Sequence, residues 1–128
     1  MLEKGLKGRY SVVVSDTNTA KTMKSGDLEV FATPSLVAIM EAASVEAIRN
    51  EIDEGYTTVG IRIEINHTAP SVTGNTVTAA AEVIEVDSRQ ITFKVSARDE
   101  NGVVGEGKHI RCIVNKERFM SKALRSDK

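Results

Sequence analysis

At 128 residues the chain has the length of one domain with one core, and 41% hydrophobic against 27% charged residues excludes a disordered or low-complexity class. A formal charge of −1 provides no polycationic surface for nucleic acid or an anionic membrane, and no stretch approaches the roughly 18 apolar residues a spanning helix needs. Cys112 is the one cysteine, so an intrachain disulfide and a cysteine-based zinc site are out; the expectation is a soluble cytoplasmic protein, a single domain over 1–128, with no metal.

The first predicted element is a strand around "GRYSVVVS", residues 8–15. Next, "FATPSLVAIMEAASVEAIRNEIDEG" predicts a helix of four to five turns: Thr33 suits the N-cap, Pro34 the first helical position, and Gly55 a stop. Leu36, Met40, Ala43 and Ala47 recur at helical spacing, with Val37, Val45 and Ile48 on the adjoining stripe. After Gly55 the period becomes two. In "TTVGIRIEINH" Val59, Ile61, Ile63, Ile65 and His67 share one face while Gly60, Arg62, Glu64 and Asn66 share the other, and Pro70 ends the ladder.

"NTVTAAAEVIEV" alternates through Val77, Ala79, Ala81 and Val83, then shifts parity at Ile84 and Val86, which predicts a bulge or a stretch buried on both faces. A turn at "DSR", residues 87–89, leads to "QITFKVSA" with Ile91, Phe93, Val95 and Ala97 on one face. Asn101-Gly102 is a hairpin signal before the last strand, "VVGEGKHIRCIVN". There Ile110 and Cys112 read as the inward residues, Cys112 as a small buried hydrophobe, and His109, of opposite parity, as a surface or edge residue. One helix followed by strands on short turns predicts an α+β layer fold with the antiparallel sheet covering the helix, and its open edges suit pairing with a second copy.

Three polar residues stand in apolar settings. Glu41 lies on the line of Val37, Val45 and Ile48, where a carboxylate is either partly desolvated, paired, or snorkelling to water. His67 ends the apolar face of a strand and should point inward at the rim, either as a satisfied core histidine or as a functional group. Thr33 is explained by capping, although a helix N-terminus also offers free N–H groups to an oxyanion or carbonyl. Eight residues, roughly 12 Å of helix, separate Thr33 from Glu41, so a site using both needs something else to bring them together, a second subunit being the obvious candidate. With no nucleophile elbow, phosphate loop or HExxH present, a metal-free acid/base site on Glu41 and His67 is the enzyme reading the residues allow.

The ordered set "FATP", "ME" seven to eight residues later, "VG" before a strand, "H" followed by "AP", and "GxGxHxR" resembles the single-domain hot dog-fold thioesterases of the fluoroacetyl-CoA thioesterase-like family, from about residue 5 to residue 119. The resemblance implies a long central helix wrapped by an antiparallel sheet of about five strands, sheets paired edge to edge in a homodimer or dimer of dimers, and sites at the subunit interface. It implies hydrolysis of an acyl-CoA, with no cofactor beyond the CoA of the substrate, by catalytic Thr33, Glu41 and His67. It also implies that Gly60 lies beside the acyl group and Arg111 near the site or the CoA portion. In the fluoroacetyl-CoA-specific enzyme a phenylalanine-bearing lid precedes the threonine, whereas Lys24 and Asp27 stand here, so the expectation is a general acyl-CoA thioesterase acting on a small acyl group, without fluoroacetyl specificity. The alternatives are a CoA-thioester hydratase or dehydratase, and a non-catalytic acyl-CoA-binding module. The buried carboxylate of Glu41 would be a costly feature of the latter.

Overall fold

The computed structural model describes residues 1–125. Its elements are β1 (Lys7–Val13), α1 (Ala20–Met23), α2 (Thr33–Ile48), a 3-10 turn (Arg49–Glu51), β2 (Tyr56–His67), β3 (Thr76–Asp87), β4 (Gln90–Asp99), β5 (Gly102–Asn115) and α3 (Lys116–Leu124). The strands form one antiparallel sheet in the order β1-β3-β4-β5-β2, so β1 and β2 are its edges. No helix among the described residues is long and apolar enough to cross a membrane.

The core forms where α2 lies on the sheet. Leu36, Met40 and Ala43 pack with Val77, Ala79, Ala81 and Val83 of β3 and Ile91, Phe93, Val95 and Ala97 of β4, all buried. Buried positions on α2 run from Ser35 to Ile48 and, at 100° per residue, span about 220° of its circumference, which only a curved sheet can cover. Glu41 falls at the margin of that arc. The two serines on the buried side are satisfied locally, Ser44 Oγ donating to the Met40 carbonyl at 2.9 Å and Ser35 Oγ to the Asn18 carbonyl at 3.1 Å. β1 crosses the helix so closely that a Cβ on Gly8 would collide with the Ala43 carbonyl and the Ala47 amide.

Several expectations hold in detail. The β3–β4 register slips between Val83 and Glu85, so Ile84 is the bulge that the parity change announced. Others shift. Thr33 is the first helical residue and Ala32 the cap, with no side-chain capping bond because alanine has no side-chain acceptor; the Thr33 hydroxyl bonds His67 instead. The helix ends at Ile48, where the Arg49 amide bonds the Glu46 carbonyl and tightens the last turn; Gly55, at φ 88°, serves the turn into β2 instead. The β4–β5 loop is Glu100-Asn101 rather than Asn101-Gly102: Asp99 Oδ1 accepts from the Asn101 amide at 2.7 Å, and Gly102, at φ 131°, already pairs with Asp99. α1 and α3 have no counterpart among the predicted elements; α3 is capped by Asn115, whose side chain accepts from the Arg118 amide at 2.9 Å.

Two further bulges decide the site. β2 slips against β5 between Gly60 and Arg62, leaving Ile61 as the extra residue, half-exposed at 50%. Ile63, Ile65 and His67 therefore face inward as expected, but upstream of the bulge Thr58 and Gly60 do so, and the single alternation assigned to the whole strand is corrected there. In β5 the extra residue is Val104, between the pairs Ala97–Gly105 and Arg98–Val103. Beyond it His109 stands opposite Phe93 and Arg111 opposite Ile91, both on the inner face. Ile110 and Cys112 are half-buried on the other face, so the expected parity of β5 is reversed, and Cys112 is not a core residue.

Candidate active site

Two groups of polar side chains lie along α2, one at its start and one at its middle. At its start, Thr33 Oγ1 lies 2.7 Å from His67 Nδ1, joining the first turn of the helix to the last residue of β2. Burial pushes the His67 pKa below the usual imidazole range. Among the described residues, His67 Nε2 is the buried side-chain nitrogen or oxygen without a hydrogen-bond partner. A cavity of about 270 Å³ adjoins the pair, lined by Ala20, Val30, Phe31 and Pro70 among others. The anchoring is local: the Phe31 amide bonds the Ser71 carbonyl and the Ala32 amide the Asn18 carbonyl, which fix where the helix begins.

Two turns along, Glu41 meets three residues of the sheet. Its Oε2 is 3.4 Å from Arg111 Nη1 and 3.8 Å from His109 Nε2, and its side chain is 40% exposed. A Cβ on Gly60 would lie 2.6 Å from the same Oε2, so the absence of a side chain at 60 admits the carboxylate itself. Arg111, only 7% exposed, is held by Nε to Thr58 Oγ1 at 2.8 Å, by Nη2 to the Thr58 carbonyl at 3.0 Å, and by Nη1 to His109 Nε2 at 3.0 Å. Burial lowers the pKa of Arg111, with Glu41 opposing the shift. The carboxylate is thus paired with a fixed cation while remaining open to solvent, a placement suited to accepting a proton or attacking an electrophile.

Of the five residues picked from sequence, the structure brings Thr33 to His67 and Glu41 to Gly60 and Arg111. It does not bring the two groups together in one chain. His109 was read as a surface residue and is 1% exposed inside the second group. The signal for it was available: a regular β4–β5 hairpin would have turned Glu106 and Lys108 inward, and a one-residue bulge relieves this by turning Gly105, Gly107, His109 and Arg111 in instead. Among the described residues no three His, Cys, Asp or Glu side chains converge as a metal-binding group.

A helix wrapped by a five-stranded antiparallel sheet in this order is a hot dog fold, and a hot-dog-like protein from Thermanaerovibrio acidaminovorans superposes with TM-score 0.84 at 26% identity over 94% of this chain and 89% of that one. The fluoroacetyl-CoA thioesterase FlK superposes with TM-score 0.93 at 30% identity, covering 100% of this chain and 99% of the other, and a variant of it in complex with acetyl-CoA gives 0.93 at 29% over 99% and 100%. The fluoroacetyl-CoA thioesterase of Streptantibioticus cattleyicolor is 38% identical over 94 residues, 73% of this chain and 68% of that protein. The family model described as fluoroacetyl-CoA-specific thioesterase matches residues 14–117, and the chain belongs to that family.

Proposed function

We propose that the chain hydrolyses a small acyl-CoA thioester in the cytoplasm, as a homodimer in which each site draws on both copies. The observation that carries this reading is the Glu41 carboxylate, solvent-open on α2 yet fixed against the buried Arg111 in a member of a thioesterase family. In the reaction, oxygen from water bonds the acyl carbon, the carbon–sulfur bond breaks, and acid and CoA thiol leave. Glu41 either takes the proton of the attacking water or attacks the carbonyl itself, expelling CoA thiolate and leaving an anhydride that water then opens. His67, neutral because burial disfavours its charge, and Thr33 beside it would hold the thioester oxygen at the helix N-terminus. Gly60 and Arg111 would border the acyl group and the CoA portion.

Distance supports a shared site. Thr33 and Glu41 are separated by roughly 12 Å of helix, more than a thioester group can bridge. The free edge strand β2 carries Gly60 near one group and ends at His67 beside the other, with exposed Ile61 between. Antiparallel pairing of two β2 edges about an axis between Ile63 and Glu64 would set His67 of one copy against Gly60 of the other. The acyl group is taken to be small but not specifically fluoroacetyl: no aromatic residue lies between Thr19 and Phe31, and Lys24 and Asp27 are exposed. Pure protein incubated with short, branched and aromatic acyl-CoAs, with free thiol followed, tests the reading. Binding of these esters without thiol release from any of them would refute it.

A further inference from the structure

We propose that His109 is a positioning residue: a neutral imidazole held as the Nδ1–H tautomer, whose Nε2 accepts a hydrogen bond from Arg111 and so fixes the guanidinium that faces Glu41. The tautomer follows from its two partners. His109 Nδ1 lies 2.8 Å from the Arg62 carbonyl, which only accepts, so Nδ1 carries the hydrogen. Nε2 lies 3.0 Å from Arg111 Nη1, which only donates, so Nε2 presents its lone pair. A second proton on the ring would set N–H against N–H beside an existing buried cation.

Every element packed on the ring bears on this. On its own strand Arg111 opposes a positive charge; from α2, Glu41 Oε2 at 3.8 Å favours one; from β4, Phe93 stacks with centroids 6.1 Å apart at 28°. β2 contributes the Arg62 carbonyl, next to the Ile61 bulge. The ring is 1% exposed, and burial, reinforced by Arg111, lowers its pKa. Neutrality therefore prevails.

The consequence lies at Arg111. Thr58 anchors one edge of the guanidinium, and Nη1 is shared between His109 and Glu41, the Glu41 contact being the longer at 3.4 Å. Without Nε2 the atom facing the carboxylate keeps that one long partner, and both Nη1 and the Arg62 carbonyl lose a bond on the buried side of the site. A glutamine can restore both, donating with its amide N–H and accepting with its oxygen.

The catalytic arm of the test rests on the thioesterase reading, whereas the spectroscopic arm does not. In histidine-labelled wild-type protein, long-range ¹H–¹⁵N spectra should show one ring, missing in His109→Gln, as a neutral Nδ1–H tautomer even below pH 6.5, the ordinary imidazole midpoint. An Nε2–H tautomer or ordinary titration overturns the proposal. The Arg111 Nη1–H signal, the hydrogen that His109 Nε2 accepts, should be protected from exchange in wild type and His109→Gln and exchange faster in His109→Leu. Turnover should fall about 10- to 100-fold in His109→Leu with KM little changed, and stay within about threefold of wild type in His109→Gln. Equal turnover and equal Arg111 protection in both variants overturn it. Should His109→Leu not fold, loss of Arg111 protection in His109→Gln overturns it equally. Should wild type release no thiol, the thioesterase reading falls while the tautomer and the Arg111 signal still decide the role of His109.

Discussion

Replacing Gly60 by alanine would separate a catalytic placement of Glu41 from a merely structural one. The added methyl would sit 2.6 Å from Glu41 Oε2, 3.1 Å from His109 Cε1 and 3.4 Å from Arg111 Nη1. The first distance is roughly 1 Å short of a comfortable heavy-atom contact, so the carboxylate must withdraw by about that much. Its contact with Arg111, already 3.4 Å, then passes out of hydrogen-bond range. Because the displaced group is the tip of a flexible, part-exposed side chain, the backbone need not move, and alanine in a strand gains about 0.5–1 kcal/mol over glycine. Thermal denaturation should therefore show a Tm at or slightly above wild type, while thiol release from the preferred acyl-CoA falls about 100-fold in kcat, the scale of a 1 Å misplacement in a site. A Gly60→Ala enzyme with wild-type kcat and KM would refute the reasoning, since the carboxylate would then be free to move without consequence.

Gly8→Ala should behave in the opposite way, because its methyl meets the backbone of α2 rather than a mobile tip; a loss of about 1–3 kcal/mol or more by denaturant titration is expected, and a wild-type midpoint contradicts the close crossing of β1. The pH dependence of stability follows from the chain's two histidines, His67 and His109, whose pKa values burial holds below 6.5 in the fold. Their contribution is present above pH 6.5 and lost as pH falls from there through the lower folded values. Tm should thus drop between about pH 7 and pH 5, less steeply in His109→Gln, and a flat profile argues against burial of the neutral rings. If sites are shared between copies, mixing Glu41→Gln with His67→Ala protein and allowing exchange should restore about a quarter of wild-type activity, since half the dimers are mixed and each holds one intact site. No recovery after demonstrated exchange would place each site within one chain.

The strand bearing Ile91, Phe93, Val95 and Ala97 was readable because each inward position is apolar and each outward one polar, and the Ile84 bulge because the apolar parity visibly changes there. The Ile61 bulge hid in plain alternation: Val59, Ile61, Ile63 and Ile65 form an unbroken apolar series, and only Gly60 hinted that the backbone departs from it. On β5 the bulge at Val104 inverted which residues face α2, so two apolar side chains were read inward and His109 outward. Apolar alternation alone does not register such a slip, although the charge that a regular hairpin would have turned inward at Glu106 and Lys108 does. The same limit applied to Thr33, whose residue type fits a cap; its hydroxyl is claimed by His67, distant in sequence and brought close only by the return of β2 to the helix start.

The central claim, that Glu41 performs the chemistry of a thioester hydrolase, is tested most directly by the steady-state rate of thiol release by Glu41→Gln on the acyl-CoA that wild type turns over fastest. The account predicts a loss of at least about 100-fold in kcat with an unchanged Tm. A Glu41→Gln enzyme that releases CoA at the wild-type rate would contradict it.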